Sequence, residues 1–320
     1  MRKLLLALLI LPITPLAGAQ DKWPSRPVKV IVPSSPGGGT DLYARLISQA
    51  LSESLKQQFI VENRPGASGN IGAEAAARSA PDGYTILVSA NPSLTVNPSL
   101  YKNLPYNTER DFTPIARGVI APQVLTVHAS VPARTLAELI AIGKKEPGKL
   151  AFGSAGTGSP TYLGIRVLEE ASGAKFTHVP YKGIGQGYKD LVGGQLAFMF
   201  PDAATAAPYI KAGKVFALAV NQKTPLLPGV RTFKELGYPT VDNVFTSFSV
   251  VAPAGTPSAI VHRLSTEIGK AMKSPALADK LGPAGLVPVF DTPEKAAASL
   301  KKERDGWAVF IKRNNIQPDE

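Results

Sequence analysis

Residues 28–41 read VKVIVPSSPGGGTD, and this short run contains a strand, a glycine-rich turn and the start of a helix. The first five residues are mostly β-branched, which predicts a buried strand. From Asp41 to Leu55 the apolar residues recur at helical spacing, and Thr40 stands where a capping residue is expected. A strand that leads through a tight turn into a helix is the first unit of an α/β sheet.

The same alternation continues along the rest of the chain. A second glycine-rich turn, residues 153–159, reads GSAGTGS and precedes a helix that should begin at Pro160 with Ser159 as its cap. Strands and helices that alternate in this way predict mainly parallel sheets flanked by helices. Further strands are predicted at residues 59–61, 85–88, 150–152, 178–181, 196–200, 215–220 and 245–251.

The order of the blocks predicts two lobes. Residues 246–320 are rich in helix and too few in strands to form a sheet of their own, so we expect them to pack back on the first block. Lobe 1 is then residues 20–120 plus 246–320, and lobe 2 is residues 121–245. The chain would cross twice, near Ile120–Thr126 and Phe245–Val251, which is the connectivity of a hinged, two-lobed α/β binding architecture.

The N-terminus has the pattern of a secretory signal peptide, residues 1–19. Arg2 and Lys3 precede a short apolar run, and Ala17-Gly18-Ala19 forms a small-residue cleavage site, so we expect cleavage after Ala19 and export to the periplasm. The leader holds two basic residues and no acid. Its removal would lower the formal charge from +11 to +9.

Composition excludes several classes of function. The chain has no cysteine, which rules out disulfides and thiolate metal sites, and its three histidines are far apart in sequence. Basic residues are scattered and accompany no nucleic-acid reader motif, so we expect no nucleic-acid partner. No Gly-x-Ser-x-Gly, His-Glu-x-x-His or phosphate-loop motif occurs. His128 and His178 adjoin apolar strands and are expected in the core or at its rim.

The two glycine turns share a design that suits an anion. The first turn of a helix leaves about four N–H groups unpaired and carries about half a positive charge, and glycine lets a ligand approach them closely. In open α/β sheets ligands lie beyond the carboxyl ends of the strands, where both turns are predicted. Asp41 and Arg45 have the spacing of a helical ion pair, which would reduce the negative charge beside an incoming anion.

An oxidoreductase is the enzymatic alternative. Gly37 and Gly39 follow a strand, and Glu62 closes the next strand, as in a dinucleotide-binding fingerprint. Leu42 and Tyr43, however, occupy the place of the third glycine. Nicotinamide cofactors are also unusual outside the cytoplasm, so this alternative stays open only as an exported Rossmann-like enzyme.

The sequence resembles the Bug-type solute-binding proteins of the tripartite tricarboxylate transporter family. The likeness extends over most of the chain after the leader and involves several long motifs in order, which together are specific. They are residues 32–45, 61–67, 97–101, 153–159, 179–183, 210–214, 218–220 and 252–257. The resemblance implies a periplasmic, Venus-flytrap protein of type II-like architecture. It implies a binding protein and not an enzyme, with no catalytic residue, no cofactor and no metal.

The resemblance also implies where a small carboxylate, an amino acid or an aromatic acid would bind. The two glycine turns become the carboxylate clamps, the loop after the third strand becomes a further wall, and Asp202 lies near a pocket aspartate of the family. The implied binding residues are Ser34, Ser35, Gly37, Gly38, Gly39, Thr40, Ser89, Asn91, Ser93, Ser154, Thr157, Gly158, Ser159 and Asp202.

Three departures from the family pattern affect the expected pocket. Ser34 and Ser247 stand where aromatic residues are common, and Pro201 separates Asp202 from the preceding Met-Phe pair. They suggest a roomier or more polar pocket. The implied partners are the large and small integral-membrane subunits of a transporter, with a signalling receptor as the alternative, and we expect a monomer.

Overall fold

The computed structural model describes residues 23–318. The predicted signal peptide, residues 1–19, lies outside the described residues. Within residues 23–318, none of the helices combines the length and the apolar composition that crossing a bilayer demands.

Strands and helices alternate through the described part of the chain. The strands are β1 (Val28–Val32), β2 (Phe59–Asn63), β3 (Thr85–Ala90), β4 (Phe112–Ala121), β5 (Val124–His128), β6 (Ala151–Ser154), β7 (Thr177–Pro180), β8 (Phe198–Met199), β9 (Val215–Val220), β10 (Thr246–Pro253) and β11 (Val287–Asp291). The helices are α1 (Gly39–Leu55), α2 (Asn70–Ala77), α3 (Asn97–Leu100), α4 (Thr108–Asp111), α5 (Leu136–Lys145), α6 (Pro160–Ser172), α7 (Ile184–Val192), α8 (Ala203–Lys211), α9 (Ser258–Met272), α10 (Pro275–Leu281) and α11 (Pro293–Arg313).

The strands form two separate sheets, which confirms the two-lobed α/β fold. The six-stranded sheet of lobe 1 has the order β11-β4-β10-β3-β1-β2, and the five-stranded sheet of lobe 2 has the order β7-β6-β8-β5-β9. Both sheets are mixed. In lobe 1, β10 and β11 run against the other four strands, and in lobe 2 only β5 runs against its neighbours. β5 and β10 are the first strands after the two crossings, so each enters its lobe from the junction.

Strand direction places one end of each sheet at the junction between the lobes. β4 leads into β5 through Pro122 and Gln123, so β4 ends at the junction and β5 begins there. β1, β2 and β3 run in the direction of β4, whereas β6, β7 and β8 run opposite to β5. The carboxyl ends of β1, β2 and β3 are therefore directed towards those of β6, β7 and β8.

Each lobe has its own apolar core, and α11 contributes to both. Val30, Tyr43 and Val250 belong to one apolar cluster of lobe 1, and Leu300 of α11 belongs to another. The core of lobe 2 includes Phe152 and Phe198, together with side chains from outside residues 121–245. Those additional side chains are Val96, Leu100, Phe310, Ile311 and Ile316. The lobe boundaries stay a prediction, but α11 ties the last block to lobe 2 as well as to lobe 1.

The structure corrects one predicted helix start and confirms another. Gly38, and not Thr40, is the N-cap of α1, and Thr40 lies inside the first turn of the helix. Helical geometry begins earlier because the glycines can enter it without a capping side chain. Ser159 is the N-cap of α6, with Pro160 as its first residue, and its hydroxyl accepts the N–H of Tyr162.

Candidate functional site

The candidate site is the cleft between the carboxyl ends of the two sets of strands. From lobe 1 it receives the turn after β1 and the loop after β3, and from lobe 2 it receives the turn after β6 and the loop after β8. The fourteen residues implied by the family resemblance lie in these four segments or in the strand ends and the first turn of α1 that adjoin them. Loops at this edge of an α/β sheet are where such folds bind ligands.

The first glycine turn leaves the start of α1 open to a ligand. Within residues 23–318, no side chain caps the first N–H groups of α1. A Cβ atom added at Gly37 or Gly38 would find no described atom within 4 Å, so both positions border open space. Gly37 has φ +89°, which only glycine adopts readily. The turn therefore exposes backbone donors at the positive end of a helix.

The buried side chain of Asp41 holds this turn in place by hydrogen bonds. Its carboxylate accepts the Gly37 N–H (3.0 Å), the Arg45 Nε–H (3.0 Å) and the Asn63 amide (2.9 Å). The predicted Asp41–Arg45 ion pair is thus confirmed. Burial alone would raise the pKa of Asp41, but the hydrogen bonds from Arg45, Gly37 and Asn63 outweigh burial and hold the pKa below its ordinary value. The Gly37 N–H is consequently occupied, while Gly38 and Gly39 remain as candidate donors.

The second glycine turn is tied together by its own hydroxyl groups. Ser159 Oγ donates to the Gly156 carbonyl (2.6 Å), and Thr161 Oγ1 accepts the Ala155 N–H (3.0 Å). Ser154 Oγ lies 2.7 Å from His178 Nε2, and Ser154 is fully buried. His178 is half-buried at the rim of the sheet, as the sequence predicts. These bonds fix the backbone of the turn at the end of β6.

The second turn lies directly against lobe 1. Gly158 has φ +89°, and a Cβ atom there would be 2.5 Å from Leu100 Cδ2 and 3.5 Å from Val96 Cγ1. The loop after β3 leads into the segment that carries these two residues. On the lobe 1 side, Gly69 lies between Pro33 of the first turn and Ser93 of this loop. The first turn, the loop after β3 and the second turn therefore form a continuous series of contacts.

The loop after β3 is largely occupied by its own structural bonds. Ser89 Oγ and Ser93 Oγ are 2.6 Å apart, and both residues are buried. The Asn91 amide donates to the Phe245 carbonyl (3.2 Å) and Glu303 Oε2 (2.9 Å), and its oxygen accepts the Ser247 N–H (3.1 Å). Asn91 thus fastens β3 to the second crossing and to α11, and its amide groups are already paired.

The remaining predicted residues have different surroundings. Asp202 is the N-cap of α8, where its carboxylate accepts the N–H and the hydroxyl of Thr205. Ser34 Oγ and Ser247 Oγ are buried and have no hydrogen-bond partner among the described residues. Ser35 is exposed on the first turn, Thr157 is half-buried in the second, and Lys182 is exposed after β7.

Three polar residues near the predicted site were not among the fourteen predicted ones. Asn63 bridges Asp41 and the Ser34 carbonyl, His178 holds Ser154, and Gln123 lies buried where the first crossing meets lobe 2. Gln123 Oε1 has no partner among residues 23–318. Asn63 stands in the motif at residues 61–67, which was the one signal available. The acidic residue of the dinucleotide fingerprint, Glu62, is engaged by Arg64 and Lys29 instead.

No group of three or more metal-ligating side chains occurs among the residues that the structure describes. The cleft offers backbone N–H groups, hydroxyls and amides. Such donors bind anions and polar groups by hydrogen bonds.

Comparison with known proteins shows the family of the chain. A family model described as "Tripartite tricarboxylate transporter family receptor" matches residues 43–316. Protein BugT of Bordetella pertussis is 35% identical over 303 residues, which is 93% of this chain and 92% of that protein. Among solved structures, R. palustris Rpa4515 with adipate has a TM-score of 0.81 at 32% identity, and covers 93% of this chain and 100% of that one.

A second solved structure carries a different dicarboxylate. MatC from Rhodopseudomonas palustris with bound malate has a TM-score of 0.77 at 30% identity, and covers 90% of this chain and 100% of that one. The matches extend over both lobes and the cleft between them. The chain therefore belongs to the family of tripartite tricarboxylate transporter receptors, which are periplasmic solute-binding proteins and not enzymes.

Proposed function

We propose that this protein captures a small carboxylate in the cleft between its lobes and delivers it to the membrane subunits of a tripartite tricarboxylate-type transporter. The observation that carries the proposal is the uncapped N-terminus of α1 at the end of β1, beside open space at Gly37 and Gly38. The two relatives solved with adipate and malate support a carboxylate ligand.

Backbone groups, and not a cation, hold the carboxylate in this proposal. Neither glycine turn contains Lys or Arg. The N–H groups of Gly38 and Gly39 point out of a helix N-terminus, where hydrogen bonds to a charged acceptor are about twice as strong as neutral ones. Arg45 neutralises Asp41, so the carboxylate below the turn does not repel the ligand.

The second turn would hold the far end of the ligand. Its backbone is fixed by Ser159 and Thr161, and its contact with Leu100 brings it to lobe 1. The N–H group of Gly158 is the proposed donor there, because Ser154 is the last residue of β6 and its N–H takes part in the pairing with β7. Ser34 Oγ and Gln123 Oε1 are unpaired among the described residues and offer further polar contacts. A ligand with two polar ends, such as a dicarboxylate or a hydroxylated aromatic acid, fits this arrangement best.

Two of the implied residues act indirectly in this proposal. Asn91 holds the hinge to α11, and Asp202 starts α8, so both fix the walls of the cleft. The export predicted from the N-terminus places the protein in the periplasm. We propose that it acts there as a monomer.

The experiment is a titration with matched ligands. A thermal-shift screen of dicarboxylates and aromatic acids identifies binders, because a ligand at about 100 times its Kd stabilises the fold by about 2.7 kcal/mol. Calorimetry then compares adipate with adipamide, which keeps the chain length and removes both charges. We expect one or more carboxylates to bind with 1:1 stoichiometry, and the corresponding amide to bind at least tenfold more weakly. Failure of the whole carboxylate panel would refute the proposal.

Ligand polarity has its own test. Ser34→Phe restores the aromatic that the family commonly has at this position and fills space that we assign to a polar group or water. We expect Ser34→Phe to weaken binding of a dicarboxylate more than binding of the monoacid of equal length. If the wild type and Ser34→Phe bound the dicarboxylate and the monoacid with equal affinity, Ser34 would have no role in ligand polarity.

A further inference from the structure

One cavity of the structure lies beside the hinge, away from the predicted binding residues. It has a volume of about 620 Å³ and is bounded by α6 of lobe 2, α11, and the chain at 240–245 that leads into the second crossing. None of the fourteen residues assigned to the cleft lines it. Its volume is within the range of about 300–1,000 Å³ that small-molecule sites occupy.

One side of this hinge cavity is apolar and aromatic. Trp307 and Phe310 of α11 make an edge-to-face contact with ring centroids 5.7 Å apart, and Phe245 and Val167 face the same space. Val309, which also lines the cavity, is 61% exposed. A wall of this kind suits a flat ring, because burial of aromatic surface is favourable and edge contacts add to it.

The charges around the cavity are paired, with one exception. Glu170 binds Arg313 (2.5 Å), and Glu303 binds Asn91 (2.9 Å) and Arg117 (3.4 Å). Lys302, in contrast, has no ion-pair partner among residues 23–318. It lies on α11 at the same cavity as Trp307. The unpaired charge at this apolar wall is therefore positive.

From this combination we infer that the hinge cavity is a second binding site, for a small aromatic carboxylate. The ring would lie against Trp307 and Phe310, and the carboxylate would lie at Lys302. Thr240 and Asn243 also line the cavity and supply polar groups. This site is separate from the cleft in its location and in its use of a cation and aromatic rings.

The position of the site couples it to the cleft. α6 begins at the second glycine turn and ends at the cavity, and Asn91 joins Glu303 at the cavity to the backbone of the second crossing. The walls belong to both lobes, so a movement of one lobe changes the cavity. A ligand that prefers one arrangement of the lobes must change affinity in the cleft, and the cleft ligand must change its affinity in return.

Tryptophan fluorescence tests binding at the hinge cavity directly. The chain has two tryptophans, Trp23 and Trp307, so Trp23→Phe leaves Trp307 as the single reporter. We expect 2-naphthoate to quench Trp307 saturably and 2-naphthamide to bind more weakly. Lys302→Met should weaken 2-naphthoate about two- to fivefold, the effect of one partly exposed ion pair. Lys301→Met is the matched control, because Lys301 pairs with Asp305 and does not line the cavity.

Several results would overturn the site. They are the absence of saturable quenching, equal affinity for naphthoate and naphthamide, or equal effects of Lys302→Met and Lys301→Met. Quenching lost in Gly38→Pro but retained in Lys302→Met would assign the naphthoate to the cleft instead. Val167→Phe fills the cavity without changing charge and should also abolish quenching, with the thermal unfolding of each variant recorded as the control for folding.

The coupling is measured separately and rests on the proposed function. Calorimetry of the cleft carboxylate with and without saturating 2-naphthoate should show a Kd that differs at least twofold. An unchanged Kd would overturn the coupling. The fluorescence titration of the Gly38→Pro variant tests the hinge cavity with the clamp of the cleft weakened, so its result stands whether or not the proposed transport function fails.

Discussion

Gly38 is the residue on which the proposed carboxylate clamp depends most. Its φ of −83° is close to the range of about −80° to −50° that proline adopts, and a Cβ atom there would meet no described atom within 4 Å. Gly38→Pro therefore removes one N–H donor and leaves the turn intact. Loss of a hydrogen bond to a charged group costs about 1.5–3 kcal/mol, so calorimetry should show a loss of affinity of about 10- to 100-fold.

Two control variants sharpen this prediction. Gly38→Ala keeps the N–H group and has room for its methyl group, so it should bind as the wild type does. Lys182→Ala should also bind nearly normally, since Lys182 is exposed and the clamp does not use it. A large loss in Lys182→Ala, with Gly38→Pro near the wild-type affinity, would show that a cation holds the ligand.

Asp41 makes stability depend on pH. Its pKa is lowered in the folded protein, so its contribution is present above the unfolded pKa of about 3.9 and is lost as the pH falls through the folded value. Asp41→Asn should destabilise the protein by about 1–2 kcal/mol at pH 7 because hydrogen bonds to a charged acceptor are weakened. The difference should shrink below about pH 4 in urea unfolding curves.

Asp82→Asn is the matched control for Asp41→Asn. The ion pair of Asp82 with Arg26 is exposed on both sides, and such pairs contribute little. Its effect should be close to zero at every pH. A destabilisation by Asp41→Asn that persisted unchanged at pH 3 would contradict the assigned charge interaction.

Patterns within one helical turn predicted the roles of individual residues. Roles that depend on contacts between residues far apart in sequence were not predicted. Ser159 as a cap and Asp41–Arg45 as a pair follow from spacing within one helix turn. The prediction of Thr40 as the N-cap of α1 was wrong. Gly38 takes that position and needs no capping side chain. The role of Asn91 depends on Ser247 and Glu303, which are more than 150 residues away in sequence. Spacing carries no information about such contacts.

At the scale of elements, Gly158 joins the second glycine turn to the segment that carries Leu100. Gly158→Ala combines a left-handed φ with a Cβ atom 2.5 Å from Leu100 Cδ2, so it should strain the turn and displace it from lobe 1. We expect lower stability by about 2–3 kcal/mol, since overpacking adds to the backbone cost. Ligand affinity should fall with it.

Gly148→Ala separates the cost of the left-handed backbone from the cost of the close contact with Leu100. Gly148 also has a left-handed φ, but the nearest described atom to its Cβ position is Thr177 Oγ1 at 3.5 Å. This variant should lose only the backbone part, about 1–2 kcal/mol, and should bind ligand normally. Equal effects of the two variants on affinity would contradict a role for the contact with Leu100.

Most strands and helices were predicted because the spacing of apolar residues along the sequence differs between the two kinds of element. The glycine turns after β1 and β6 were placed correctly at the edges of the two sheets. β8 is shorter than the apolar run at 196–200 predicts, because only Phe198 and Met199 pair with neighbouring strands. The reversed directions of β5 and β10 are set by the connections between lobes, and β11 takes the direction of β10, which it follows through α9 and α10. No local period reveals these directions.

At the scale of the whole molecule, the packing of α11 on lobe 2 is the feature that the sequence did not predict. Its first part packs on lobe 1, and Phe310 and Ile311 enter the core of lobe 2. An amphipathic period shows that a helix is buried on one face but does not say against what. Because α11 packs on both lobes, closure of the lobes must bend this helix or slide it against one of them. Hinge closure around a ligand is the expected motion of such a fold.

Small-angle X-ray scattering of the ligand-free protein and its carboxylate complex tests the central claim most directly. The ligand-free state is verified by mass spectrometry, and the ligand is the tightest carboxylate from calorimetry, with its uncharged amide as the control. We predict that the carboxylate lowers the radius of gyration beyond experimental error and that the amide leaves it unchanged. An identical radius with saturating carboxylate would contradict capture by closure of the two lobes.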